Sequence, residues 1–156
     1  MKKIIHFGKN TKLADVIHTD YNLIPVITRF GIGFGFGDDT IARICQKYEL
    51  DLKFFLEILT AFHDPEYEAE NSFSDFSHKQ IIDYLLKSHK YYKETKIPLI
   101  ENLLKELHWS GPDNSKNKAV LKNFFDEYKR EVIDHTGHEE NEVFPYILEL
   151  EQAVKK

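Results

Sequence analysis

Hydrophobic residues recur at steps of three and four along two long stretches of the chain, the spacing of one helix face. In the first stretch, roughly residues 78–108, the line is Ile82, Leu86, His89, Lys93, Ile97, Ile100, Leu104 and Leu107. In the second, roughly 116–150, it is Leu121, Phe125, Tyr128, Val132, His135, Glu139, Val143 and Ile147. Each predicts a helix of about 30 residues, about 45 Å long. Pro98 lies inside the first and predicts a bend. "HWSGPDNSKN" breaks the pattern and predicts the turn, with Asn114 or Ser115 capping the second helix. Two such helices form a hairpin with one long apolar side left uncovered.

The first 64 residues carry shorter patterns. "TKLADVIH" reads as a short helix. "NLIPVITRFG" reads as another, with Asn22 as N-cap, Pro25 in the first turn and Gly31 as C-cap. "DDTIARICQKY" follows, capped by Asp38 or Asp39. "DLKFFLEILTAFH" predicts a helix capped by Asp51 that buries Phe54, Phe55, Ile58, Leu59 and Phe62. Residues 65–76 are acidic and polar and read as a linker, after which Ser77 and Gln80 suggest a capping box. The expected organisation is a small helical domain over 1–64, a linker over 65–76 and a helical hairpin over 77–156.

The second long helix raises the chemical question. His135 and Glu139 are four residues apart, so they stack on one helix face roughly 6 Å from each other. Both fall on the apolar line, and so does His89 in the first helix. A carboxylate turned toward an apolar interior costs several kcal/mol unless it is paired or bound to a cation. Imidazole and carboxylate on facing helices are the ligand types of non-haem iron and carboxylate-bridged metal sites. A hydrogen-bonded core histidine and a glutamate paired with lysine are the metal-free alternative. His138 and Glu142 repeat the spacing one strip over and read as flanking groups or alternative ligands. His108, near the end of the first long helix, is a further candidate. His6, His18, His63 and His78 sit at helix ends or in loops, and Tyr92 and Tyr128 read as packing residues.

Composition narrows the classes. Of 156 residues, 42% are hydrophobic and 13% aromatic, enough for a packed helical core. Net charge is −5 and the lysines alternate with acids along helix faces, which argues against nucleic-acid binding. No run of about 18 apolar residues predicts a membrane span. "MKKIIHFGKN" does not read as a signal peptide. The single cysteine, Cys45, suits a cytoplasmic setting and reads as a buried small residue. "GIGFGFGDD" lacks the Gly-Lys-Ser/Thr end of a phosphate loop and reads as a glycine turn with Phe34 or Phe36 packed inward.

Two segments resemble a known family. "HTGHEENEVFPYI" resembles the H-x-x-x-E-E-x-x-x-F-P segment of hemerythrin-like (HHE cation-binding) domains, and "LLKSHKYYKETKIPLIENLL" resembles their first helix. "LADVIHTDYNLIPVITRFGIGFGFGDDTIARICQKYELD" resembles the small domain that precedes them in the repair-of-iron-centres proteins, which repair iron–sulfur clusters. The resemblance implies metal ligation by His89, His135 and Glu139, the last as bridging carboxylate. It implies non-haem iron, as one ion or a pair, with zinc or manganese as alternatives. It also implies small ligands such as O₂, NO or peroxide, iron–sulfur proteins as partners, and a role in nitrosative or oxidative stress.

Two features depart from the family. Gly35 and Phe36 stand where the repair proteins carry adjacent cysteines, so thiolate chemistry at that turn is absent. The family's bundle has four helices, and only two are present here. The fold expected is therefore all-α: a small N-terminal helical domain plus a hairpin forming half of a hemerythrin-like four-helix bundle, completed by a homodimer. Doubling gives four histidines and two glutamates. A truncated, incomplete hemerythrin-like protein and a metal-free interaction module are the rival readings. No nucleophile with a base and an orienting group is apparent, so classical hydrolytic turnover is not expected.

Overall fold

The structure, a computed structural model, describes residues 6–68, 75–108 and 114–154. Among the described residues it is helical, with no β-strand beyond one isolated bridge between Lys12 and Thr40. The chain divides into two compact units, Met1–Ser77 and His78–Lys156.

The first unit holds α1 (Leu13–Thr19), α2 (Ile24–Arg29), α3 (Ile41–Lys47) and α4 (Leu52–His63). All are short, and helices of this length are not stable alone in water. Packing compensates: Leu13, Val16, Ile41, Ile44, Phe55 and Leu59 are fully buried. Burying each such side chain is worth about 1.5–3 kcal/mol. Phe30 meets Phe55 edge-on at 4.8 Å between ring centroids. The isolated bridge ties the starts of α1 and α3 together, with Ile41 N–H donating to the Thr11 carbonyl at 2.9 Å.

The caps differ from expectation at two of three helices. Asp51 does cap α4, accepting from Phe54 N–H at 2.8 Å. Before α2, the cap is Asp20 rather than Asn22: its carboxylate accepts from Asn22 N–H at 3.0 Å and starts a short 3₁₀ turn, Tyr21–Leu23. Before α3, Thr40 is the cap, accepting from Arg43 N–H, because both aspartates are engaged elsewhere. Asp38 pairs with Lys12 at 2.8 Å and Asp39 with Arg43 at 3.3 Å. Gly31 follows α2 with φ +79°, the left-handed conformation that a helix end favours in glycine. In the glycine turn, Ile32 is the fully inward residue, Phe36 is half-buried and Phe34 is 72% exposed. Phe62 is exposed as well, and the Arg29 guanidinium lies over its ring at 5.4 Å.

The expected linker packs in part on this unit. Tyr67 donates its hydroxyl to the buried Glu57 at 3.1 Å, and Phe76 buries its ring edge-on against Phe54 at 5.1 Å. Residues 69–74 lie outside the described residues.

The second unit holds α5 (His78–Tyr91), α6 (Ile97–Glu106), α7 (Asn114–His138) and α8 (Phe144–Val154). A five-residue π-turn, Tyr92–Lys96, joins α5 to α6, and another, Glu139–Val143, joins α7 to α8. Each lies just ahead of a proline. A proline ring clashes with the carbonyl four residues back and has no N–H to give it. Pro98 would meet the carbonyl of Glu94, and Pro145 that of Asn141. Widening the turn relieves this. The residue before each proline then donates five residues back: Ile97 N–H to Tyr92, and Phe144 N–H to Glu139. The expected bend at Pro98 thus takes the form of a π-turn, and Pro145 has the same effect.

Three contacts set the hairpin antiparallel: His78 to Glu151 at 3.6 Å, His89 to Glu140 at 3.0 Å, and Glu101 to Lys129 at 2.5 Å. Its core holds Ile82, Ile97, Phe125 and Phe144, with Ser88, His89 and Thr136 as buried polar members. The inward line of the second long helix differs from the one read off the sequence. It passes through Phe125, Lys129, Val132, Thr136, Glu140 and Phe144, while Tyr128 is 46% exposed. Of the first helix's line, Leu86 and Ile100 face outward. The turn reading falls mainly on residues 109–113, outside those described.

Candidate metal centre

His89 sits near the C-terminal end of α5 with only 10% of its side chain exposed. Two neighbouring glutamates, at the start of the second π-turn, reach its two ring nitrogens. Glu140 Oε1 lies 3.0 Å from Nδ1, and Glu139 Oε2 lies 3.3 Å from Nε2. Phe144 stacks on the ring at 5.8 Å, 20° from parallel, and fixes its plane.

The proton count makes this arrangement informative. A neutral imidazole has one N–H and one lone pair. It can donate to one carboxylate only; the contact with hydrogen-bond geometry is that of Nδ1 with Glu140, while Nε2 and Glu139 are close at 3.3 Å without it. A proton shared between Nε2 and Glu139, or a cation between them, would each make that close approach attractive. Lys93 indicates which side is the hydrogen-bonded one. Its Nζ lies 2.7 Å from the same Oε1 of Glu140, which keeps that group an anionic acceptor. The hydrogen bond from Lys93 holds the Glu140 carboxyl below its usual range, against the opposing effect of partial burial and with help from His89. The Nε2–Glu139 side is the open one.

His135 approaches Glu139 from the other end. Its Nε2 lies 3.5 Å from Oε1 of Glu139, one helical turn on. Glu139 therefore has one imidazole nitrogen at each carboxylate oxygen, which brings His89, His135 and Glu139 together as a group. The difference from expectation is in burial: His135 is 72% exposed and Glu139 28%. His135 lies outside the inward line, whose place at that level belongs to Thr136, 6% exposed, with its hydroxyl donating to the Val132 carbonyl at 2.8 Å. His138 and Glu142 pair with each other at 3.3 Å on the exposed surface, apart from His89. His108 lies exposed just beyond α6.

Glu140, Lys93 and Phe144 were not singled out by sequence reasoning. The available signal was the doublet Glu139–Glu140, together with Lys93 one turn after His89. Its meaning depends on the hairpin register.

Within one chain the donors have the right chemistry for a metal but are incomplete as a ligand set. Among the described residues, no group of three or more His, Cys, Asp or Glu side chains is placed to hold a metal ion. The second unit exposes large apolar side chains: Phe124 is 66% exposed, and Leu103, Tyr128 and Tyr146 are exposed too. An open groove of about 680 Å³ between α6 and α7, floored by Leu104, Leu107, Leu121 and Phe125, extends that apolar character toward the turn. No helix among the described residues is long and apolar enough to cross a membrane. Comparison with protein-family models, curated proteins and solved structures finds no match to this chain.

Proposed function

We propose that the second unit is a non-haem iron-binding half-bundle, in which His89 and His135 supply nitrogen ligands and Glu139 a bridging carboxylate. The observation that carries this reading is the carboxylate of Glu139 lying between two imidazole Nε2 atoms, at 3.3 and 3.5 Å. A second copy completes the ligand set, giving a four-helix bundle of the hemerythrin-like kind with four histidines and two glutamates. Two features support the second copy: α7 exposes the aromatic rings of Phe124 and Tyr128 as well as His135, and the described residues of one chain hold too few ligands. Iron held in this way offers coordination positions to O₂, NO or peroxide. The role is similar to that of iron–sulfur repair and stress proteins, with zinc and manganese as alternative metals.

The test is metal content after growth with added iron, measured with the oligomeric state, for the wild-type chain and His135→Ala. About one iron per chain in a dimer, lost in the variant, is the expected result. A metal-free wild-type protein refutes the reading.

A second reading has its own support. A doubly protonated His89 donating to Glu139 and Glu140 satisfies all three groups without a metal. The hairpin is then an interaction module using its apolar side. Unchanged helicity and oligomeric state, with no metal in either protein, favour that reading.

A further inference from the structure

We propose that the groove between α6 and α7 binds a fatty carboxylate, with the alkyl chain on its apolar floor and the head group at Lys105 and Lys118. The inference is independent of the metal-binding reading above.

The floor is apolar and only partly covered. Phe125 is 6% exposed, while Leu104, Leu107 and Leu121 are half-buried and line the open space. That space is about 680 Å³, a volume typical of small-molecule sites, which run from about 300 to 1,000 Å³. Its lining on α7 extends from Ser115 to Asp126, about 16 Å of helix. A linear chain laid along the helix fits those dimensions. A partner helix does not: at about 11 Å across it fills about 500 Å³ per turn, so the groove would hold little more than one turn.

The rim decides the head group. Five charged side chains line the groove, and its two acids are already engaged: Glu101 by Lys129 and Asp126 by Lys122, each at 2.5 Å. Lys105, from α6, and Lys118, from α7, have no ion-pair partner among the described residues. They leave uncompensated positive charge above an apolar floor. A cationic amphiphile would meet repulsion there, and a neutral one would leave both lysines unused. An anion with an apolar tail matches both parts of the lining, and a carboxylate at a lysine forms a charge-assisted hydrogen bond.

Isothermal titration of the full chain with decanoate, kept below its micelle concentration, is the test. One decanoate per chain is expected. 1-Decanol, the same tail without the charge, should bind about tenfold more weakly, the effect of losing two solvent-exposed ion pairs. Lys105→Gln/Lys118→Gln should weaken decanoate by the same factor and leave decanol unchanged. Ala119 lines the groove at an exposed helical position, so a charged residue there removes no packing. Ala119→Glu should weaken decanoate about fivefold, and Ala119→Lys should not weaken it. Lys9→Gln removes the same charge from an exposed position in the first unit and should match wild type. Circular dichroism confirms that each variant is folded.

Absence of saturable decanoate binding overturns the proposal. Equal affinity for decanoate and decanol does so too, because the lysines then select nothing. Binding that the double variant and Ala119→Glu both leave unchanged puts the site elsewhere. A dimer whose dissociation constant in sedimentation shifts with Ala119→Glu, in a protein that does not bind decanoate, means that a second copy fills the groove instead.

Discussion

Truncating Phe144 to alanine tests whether the hairpin is packed in the register described. Phe144 is 5% exposed, and its ring stacks on His89 across the two halves of the hairpin. Removing a buried phenylalanine side chain costs about 3–5 kcal/mol in lost transfer energy and cavity. A unit of about 80 residues is stabilised by about 4–12 kcal/mol in total. Phe144→Ala is therefore expected to leave the second unit marginal, with a large drop in its denaturation midpoint followed by circular dichroism. Phe144→Leu keeps most of the volume and is expected to cost about 1.5 kcal/mol or less. Val154→Ala, at a position 85% exposed, serves as the surface control, expected within about 0.5 kcal/mol of wild type. A loss below about 1 kcal/mol for Phe144→Ala would mean that the ring is not enclosed, and the contacts of His89 with Glu139 and Glu140 would lose their basis.

In the first unit, Asp20 pairs with His63 at 2.9 Å. Burial raises the carboxyl's pKa, but hydrogen bonds from His63 and Asn22 outweigh it, so Asp20 lies below its ordinary range. Its contribution to stability is then present above that ordinary range and lost as pH falls through the lowered value. Urea melts of wild type and Asp20→Asn should converge toward acid pH; a gap that persists at pH 2 refutes the pairing. Cys45 is buried, and burial, aided by the Asp51 charge, pushes its thiol up to about 11. Alkylation by iodoacetamide at pH 8 should be slower by about 100-fold or more in the native protein than in urea; equal rates would contradict the burial. Gly137 lies inside α7, and a Cβ there meets nothing within 4 Å. Gly137→Ala should stabilise the helix by about 0.5–1 kcal/mol, seen as a higher melting temperature; a fall would point to a neighbouring copy against that position. Phe124→Glu, at an exposed apolar site, should leave helicity intact and convert a dimer to monomer in sedimentation; an unchanged dimer places its interface elsewhere.

The helical character was legible in the sequence because periodicity and caps are local. Asp51, Gly31 and the buried set Phe54, Phe55, Ile58 and Leu59 follow from spacing alone. Thr40 caps α3 instead of the two expected aspartates: Asp39 is held locally by Arg43, while Asp38 is held by a non-local partner. Lys12 is 26 residues from Asp38 in the chain, and only the fold brings its ammonium close enough to engage that carboxylate. The inward face of the second long helix failed differently. Following hydrophobicity selects Tyr128 and leads on to His135. The contact face instead uses Lys129, half-buried and paired with Glu101, and then Thr136, whose hydroxyl is satisfied by its own helix. A lysine stem and a self-bonded threonine can line a core while reading as polar.

The same displacement bears on the metal reading. The sequence pattern predicts that His135 and Glu139 are buried together and so require a cation. In one chain a different pair is placed this way: His89 is the buried imidazole, and Glu139, half-buried, is the carboxylate nearest its Nε2. His135 is open to solvent, and an exposed histidine beside a carboxylate does not by itself require a metal. What makes it relevant is position. It meets the other oxygen of the carboxylate that already faces His89, on a helix that also exposes Tyr128 and Phe124, two and three turns before it. A second copy packed along this helix as far as His135 would desolvate it, and a desolvated imidazole–carboxylate pair would then need a proton or a metal ion. Dimer and metal are therefore coupled in this proposal: metal should tighten the dimer, and dilution to monomer should weaken the metal, by the same factor.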